Sequence, residues 1–366
     1  MEFNIIEKSE KYKYSVGLSN DKKAKIFKSP NANYLFNLED GQMLSWGQRF
    51  EDDPQRFPAP NILDCEISTI CHGVNGKVCP FCYKANTPNG RNMSFETFKH
   101  ILDVYPKSLT QVAFGADATL TSNPDLWKMA EYCRQNNIVP NITAAQIDDE
   151  TADKLVKYMG AVAISVYEDK DVAYDSIKRL TDRGMTQVNI HLMIAQETFE
   201  RAKQVLSDVK TDPRLEKLNA VVMLSLKKKG RGIGFHPLTQ EQFNELVKYA
   251  RENKIGIGFD SCSSLKAYNA FKDNPNVQNM IIPCESSLES SYINVDGEYF
   301  PCSFTEGIKD ENTDWEKGIS VLECNSVEEF LDKIWHNKKT LKFSDMLLHT
   351  CDKNEFKCRS CPLYNV

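Results

Sequence analysis

The stretch Cys71-His72-Gly73-Val74-Asn75-Gly76-Lys77-Val78-Cys79-Pro80-Phe81-Cys82-Tyr83 decides how the rest of the chain is read. Its three cysteines, spaced C-x7-C-x2-C, hold three corners of a metal cluster and no more. A structural zinc site closes on four ligands. A cubane iron–sulfur cluster on three thiolates instead keeps one iron open for a substrate or cofactor. Gly73 and Gly76 supply the backbone angles that a wrapping loop requires. Phe81, directly before the third cysteine, places an aromatic ring beside whatever binds the open iron.

Outward from this stretch the chain is rhythmic. Residues 62–68 read as a strand that delivers Cys71 from its C-terminal end. Ser94 caps a helix with Phe95, Phe98, Leu102 and Tyr105 on one face. Further strands are predicted at 111–114, 138–143, 161–166, 187–194, 220–226 and 255–259, with helices between them. Asn123-Pro124 opens one helix, Gly160 and Gly184 end two in the C′ manner, and Thr239 with Gln242 forms a capping box. Alternating strands and helices of these lengths imply parallel strands joined by right-handed crossovers. The expected class is α/β, a partial (β/α)6 TIM-like barrel over 61–260 with a small C-terminal Cys-rich auxiliary cluster domain over 261–366. Ligand sites on such sheets lie beyond the carboxyl ends of the strands, which is where Cys71 to Cys82 fall.

Residues 1–60 read as a β-rich N-terminal extension or strap. Short strands are expected at 12–16 and 33–37, with a turn at Glu39-Asp40-Gly41 and a proline-broken linker at 51–60. Past residue 260 the rhythm stops and seven of the twelve cysteines follow. A hairpin is signalled there by Asp296-Gly297 between alternating residues.

Composition narrows the function. With 41% hydrophobic residues the 366-residue chain can bury a full core, and no run approaches the roughly 18–20 apolar residues of a membrane span. The N-terminus has no apolar signal core, so a cytoplasmic protein is expected, without a membrane partner. Lysine and arginine number 45 against 51 acidic residues, a net charge of −6 that argues against a nonspecific grip on nucleic acid. In a reducing cytosol, clustered cysteines mean metal or catalysis rather than disulfides.

A three-cysteine loop after a first strand, followed by βα units, resembles the radical S-adenosylmethionine (SAM) superfamily. That family's signature is C-x3-C-x2-C with an aromatic before the last cysteine. Phe81 and the C-x2-C half match, while the first gap here is seven residues. A Gly-Gly-Glu-like turn after the family's second strand holds the SAM amino group. Phe114-Gly115-Ala116-Asp117-Ala118 stands in that place, with Ala116 for the second glycine and Asp117 for the acid. The resemblance implies a SAM-binding [4Fe-4S] cluster on Cys71, Cys79 and Cys82. It also implies SAM contacts at Phe81, Gly115, Asp117 and Ser165, with Asn189 and His191 as further candidates.

The tail extends the likeness. Cys284-x12-Gly297-x4-Cys302 with Cys358-x2-Cys361 resembles Twitch, the shortened relative of the SPASM domain, and implies one auxiliary [4Fe-4S] cluster on those four cysteines. The implied activity is reductive cleavage of SAM to a 5′-deoxyadenosyl radical that takes a hydrogen atom from a peptide or protein side chain. The reducing electron is expected from a partner such as a flavodoxin or ferredoxin. Dehydrogenation or rearrangement of a small molecule is the alternative. A noncatalytic, zinc-stabilised binding protein is a third reading, because four thiolates also satisfy zinc.

Asp260 and Cys262 follow the last predicted strand and are assigned to the reaction, Cys262 as hydrogen donor or substrate ligand, with a buried packing thiol as the alternative. Cys65 and Cys133 are expected in the core. The run 227–231, rich in lysine, is either solvated surface or a source of carboxylate contacts through Lys227 or Arg231.

Overall fold

The computed structural model describes residues 2–364 except 53, 55, 312 and 351–359. Five antiparallel strands come first: β1 (Phe3–Ser9), β2 (Tyr14–Ser19), β3 (Ala24–Lys28), β4 (Asn33–Asn37) and β5 (Met43–Trp46), each paired with the next. Two of them stand where short strands were expected; the others make a complete sheet of what read as an irregular layer. Tyr14, Val16, Phe27, Tyr34 and Phe36 are buried on its inner face, where Phe57 packs edge-on to Phe27 at 5.9 Å. Polar side chains cross to the next domain, among them Glu7, which accepts from Lys107 N at 3.1 Å. The Tyr34 hydroxyl and the Lys25 ammonium donate to the carbonyls of Ser108 and Leu109.

The rhythmic region forms the expected partial barrel. Its elements are β6 (Ile62–Glu66), α1 (Phe95–Val104), β7 (Gln111–Gly115), α2 (Leu126–Gln135), β8 (Val139–Ala144), α3 (Asp149–Tyr158) and β9 (Ala161–Ser165). Then follow α4 (Lys170–Asp182), β10 (Val188–Ile194), α5 (Phe199–Thr211), β11 (Ala220–Ser225), α6 (Gln240–Glu252) and β12 (Ile257–Phe259). All seven strands are parallel and in chain order. Period-2 alternation turns Leu63 and Cys65 to the helices and Asp64 and Glu66 to the lumen. The Ser94 hydroxyl accepts from Thr97 N at 3.1 Å, and Thr239 and Gln242 cap each other.

Two local expectations change. Gly184 has the left-handed φ of a C′ residue, +83°, but Gly160 does not; a Cβ there would stand 2.2 Å from Val139 Cγ1, so close approach to β8 demands the glycine. Helix α2 begins after Asn123-Pro124, because the Asn123 amide donates to the carbonyls of Ile67 and Met93.

The tail continues the same sheet. Strand β13 (Ser290–Ile293) pairs parallel with β6, and β14 (Glu298–Phe300) returns antiparallel through the expected hairpin, with Gly297 at φ +78°. A small hairpin, β15 (Ile308–Lys309) and β16 (Asp314–Trp315), precedes β17 (Ile319–Ser320), which closes the ten-stranded sheet beside β14. Among the described residues no helix is long and apolar enough to cross a membrane.

Lys25 yields a prediction. Burial, with Lys107 nearby, pulls its pKa down to about 7 from the ordinary 10.5. The unfolded chain therefore holds more protons than the folded one between those values, so stability climbs as pH rises across that window. Lys25→Met should remove from that climb a slope of up to about 1.4 kcal/mol per pH unit. Urea melts of both proteins at pH 7 and pH 10 check this; equal slopes refute it.

Candidate active site

The cysteine loop leaves the carboxyl end of β6 as the sequence implies. Cys71 is anchored by its N–H to the Thr87 carbonyl at 2.9 Å. Val74 and Lys77 then exchange both backbone hydrogen bonds, at 3.1 and 2.9 Å, around Asn75 and Gly76 at φ +50° and +77°. That is a two-residue hairpin of the primed type which Asn-Gly favours. A Cβ on Gly73 would lie 2.0 Å from the Lys77 carbonyl oxygen and 2.5 Å from Val78 N, so the chain enters and leaves the hairpin at nearly one point. Without these four residues, only His72, Gly73 and Val78 separate Cys71 from Cys79. The C-x7-C spacing is thus a C-x3-C spacing with a hairpin inserted.

The Cys79 thiol lies close enough to Cys71 and Cys82 to feel the charge of both, and Tyr167 feels all three. Phe81 packs between Tyr167 and Phe235, with ring centres 5.8 and 5.9 Å away. Burial pushes the Cys79 thiol up to about 12, opposed by the Phe81 backbone N–H directed at its sulfur.

The segment after β11 straps this loop down and is no solvated charge run. Arg231 donates from its backbone to Cys82 O (3.0 Å), from Nε to Cys79 O (2.8 Å) and from Nη1 to Asn86 O (3.0 Å). Gly230, at φ +56°, lies so close that a Cβ would sit 2.3 Å from the Tyr83 carbonyl oxygen. Lys229 reaches the other way, to the carbonyls of Ser303 (3.3 Å), Phe304 (3.2 Å) and Glu306 (2.6 Å). Lys227, buried, pairs with Asp260 and lies 4.7 Å from the Phe304 ring centre. Burial pulls its ammonium down, but the Asp260 carboxylate and the Cys262 thiol outweigh it and hold the charge firmly.

A second group of thiols faces the strap. Cys284 feels Cys302 and Cys361, and Cys262 feels Cys284 and Cys302. Cys358 lies outside the described residues, as does Cys351. Burial pushes Cys284 up to about 12, while backbone N–H groups of Phe304 and Thr305 are directed at the Cys302 sulfur. The thiols stand apart: among the described residues, no three His, Cys, Asp or Glu side chains converge on a single ion. Half-buried sulfur donors, with backbone N–H groups directed at Cys79 and Cys302, suit iron–sulfur clusters in both places, since softness of ligand and N–H···S bonds govern such sites. Cys65 and Cys133 are buried in the core, as expected, and so is Cys324.

The remaining candidates part ways. Gly115 ends β7 at the mouth, exposed, while the Asp117 carboxylate is consumed by its own loop. It accepts from Thr119 N (3.1 Å), Thr119 Oγ1 (2.7 Å), Thr121 N (3.3 Å) and Ser122 N (3.0 Å), and the side chain is buried. Asp117 therefore shapes the turn, instead of presenting a free acid to SAM. Ser165 bonds the Tyr167 hydroxyl beside the cysteine loop. His191 faces the lumen 3.2 Å from Thr143 Oγ1, and burial lowers its pKa to about 4, so it is neutral. Asn189 lies near the amino end of β10, about 17 Å of strand from the mouth. Its oxygen accepts from Asn219 there, which removes it from the site. Asp260 caps the turn Ser261–Ser263, accepting from Ser263 N at 3.1 Å, so it acts as a clamp.

Sequence reasoning missed the join between loop and tail. Lys84, two residues past Cys82, meets Glu66 Oε1 at 3.0 Å, pairs with Glu306 and reaches the Tyr292 hydroxyl at 2.8 Å. Lys84, Glu66 and Glu306 border a polar cavity of about 500 Å³, between the end of the cysteine loop and the β13–β14 hairpin. No pattern of spacing marks residues so far apart in the chain.

Residues 284–362 match the family model of SPASM, an iron–sulfur cluster-binding domain. None of the curated proteins compared with the chain matches it. Among solved structures, SuiB of Streptococcus suis bound to S-adenosylmethionine is similar at TM-score 0.54 and 15% identity, over 76% of this chain and 67% of that one. SuiB bound to the precursor peptide SuiA gives TM-score 0.59 and 14% identity, over 83% and 76%. Identities this low show a shared fold. The chain thus shares the fold of these structures and carries, over residues 284–362, a SPASM iron–sulfur cluster-binding domain.

Proposed function

We propose that this cytoplasmic enzyme modifies a peptide or protein side chain held in the barrel lumen between its two groups of cysteines. The observation that carries the reading is the strap: residues 227–231 bind the cysteine loop on one side and the tail on the other, so both groups face one space. Similarity to a fold that SuiB uses when bound to a precursor peptide supports the peptide assignment over a small molecule. Residues 1–60 support the barrel wall, 61–260 hold SAM, and 261–366 hold the auxiliary cluster. A flavodoxin or ferredoxin supplies the electron.

Cys71, Cys79 and Cys82 would hold a [4Fe-4S] cluster, which together with SAM would supply the 5′-deoxyadenosyl radical. The chain's residues do the rest. Phe81, fixed between Tyr167 and Phe235, walls the cofactor from water. Gly115 leaves the mouth open for SAM, and Ser165, steadied by Tyr167, is placed for its ribose. Cys262, beside the Lys227 ammonium and the auxiliary thiols, is within the same wall and is positioned to give a hydrogen atom or bind substrate.

Anaerobically reconstituted protein should carry about eight irons, four per cubane, and cleave SAM to 5′-deoxyadenosine. Cys71, Cys79 and Cys82 replaced together by alanine should leave about four irons and abolish cleavage. Zinc in place of iron refutes the reading; modification of a short peptide encoded beside the gene tests the substrate class.

Deletion of residues 74–77 should leave iron content and SAM cleavage intact, because the chain on the two sides of the hairpin runs so close that a Cβ on Gly73 would stand 2.5 Å from Val78 N. Loss of one cluster in that variant would show that the hairpin shapes the site. Asp117→Ala should lower the stability of the cluster-free protein by about 2–4 kcal/mol, as loss of a buried charged acceptor with several donors does. A residue serving SAM alone would leave that denaturation curve unmoved.

A further inference from the structure

Asp64 stands at mid-strand on β6, the strand that delivers the cysteine loop. Leu63 and Cys65 on either side are buried towards the helices, so its carboxylate faces the lumen. Its place in the sheet is beside Ala113 of β7 and Tyr292 of β13. Solvent reaches the side chain, while the surrounding protein on the lumen face is close enough to raise its pKa to about 6 by desolvation alone.

Among the described residues this carboxylate has no hydrogen bond and no ion pair, and each neighbour is engaged elsewhere. The Tyr292 hydroxyl serves Lys84 and Glu306. Lys84 itself is shared by Glu66 and Glu306. The Tyr83 hydroxyl bonds Ser303, and Tyr105, which also feels the Asp64 charge, bonds Ser291 on the other face. Beside Asp64 the lumen face carries the small Ala113, and further round it Ala161, Ala163 and Gly258 alternate with larger residues such as His191 and Val222, which leaves space next to the carboxylate. An ionised side chain without a partner costs folding free energy and persists where a ligand needs it.

We propose that Asp64 anchors the substrate by a cationic nitrogen, an ammonium or guanidinium group, seated in the lumen beneath the cysteine loop. This rests on the reading of the lumen as the substrate site and names the chemistry it selects. Two carboxylates already share the ammonium of Lys84, and that of Lys229 is spent on tail carbonyls, so neither pairs with Asp64 and a lysine- or arginine-like side chain would bring it a partner. SAM also carries an ammonium group, and the test separates the two sources.

The protein is tested anaerobically with both clusters loaded, as wild type and Asp64→Asn. At pH 8 the folded carboxylate is ionised against its preference, so the variant should melt at a higher temperature than wild type. At pH 4.5, below the folded pKa of about 6 but still above the ordinary 3.8, that advantage should shrink to about a third. An unchanged or lower melting temperature at pH 8 means the charge is already compensated and overturns the inference. n-Butylammonium and n-butylguanidinium should raise the melting temperature of the wild type, and n-butanol should not. Affinity for both cations should fall at least tenfold in Asp64→Asn; equal affinity overturns the proposal. SAM affinity should stay within twofold, and a tenfold loss would assign Asp64 to the cofactor and overturn the substrate role. Wild-type SAM cleavage is scored separately: its absence defeats the enzyme reading while leaving the cation measurement to stand.

Discussion

The four-residue parallel ladder between β13 and β6 is the constraint on which the rest depends. It places Ser290 beside Ile62 and Ile293 beside Cys65, so the tail's hairpin extends the barrel sheet. The cysteine loop leaves β6 and the SPASM hairpin leaves β13, which makes the two thiol groups outgrowths of neighbouring strands. A one-residue slip in this ladder would turn every side chain of β13 to the opposite face. Tyr292 would then lose Lys84, and Ser291 would lose Tyr105, whose hydroxyl it bonds across the helix-facing side. Register here is fixed from both faces at once.

The strap after β11 closes the same space from the far edge, and it does so almost wholly through carbonyl oxygens. Arg231 and Lys229 bind backbone on the loop and on the tail, so the strap does not occupy the thiols of Cys79 and Cys82. Such bonds are made by charged donors and are among the stronger hydrogen bonds in proteins. They also place positive charge beside sulfur donors that must lose their protons to bind iron, which lowers the cost of that ionisation.

The barrel was legible because seven strands, buried on one face and lining a lumen on the other, keep β-branched and aliphatic residues in nearly unbroken runs. The N-terminal sheet was half hidden. Lys25 and Glu7 point inward there, so the inside–outside alternation that marks a strand fails at β3 and β1. Asn75-Gly76 carried a usable hairpin signal within the cysteine loop, and it alone explains the unusual spacing. The lysine run misled because charge on a short loop says nothing of what packs against it. Asp117 and Asn189 were placed by family position and by strand; the carboxylate's use within its own turn, and the depth of Asn189 below the mouth, are matters of hydrogen bonding and register that spacing does not encode.

What unites the hidden parts is that each is a polar group whose partner lies far along the chain. Lys84 meets Glu306 across 222 residues, Arg231 meets Cys79 across 152, and Lys227 meets Asp260 across 33. Apolar periodicity reports only which face is buried, and it reports that locally. Charge satisfaction is decided after the sheet has formed, because only then are the partners side by side. The polar join is thus a consequence of the β6–β13 ladder, and Asp64, on that same ladder, is the group which the join leaves unpaired. Its exposure to the lumen follows from strand alternation and register alone.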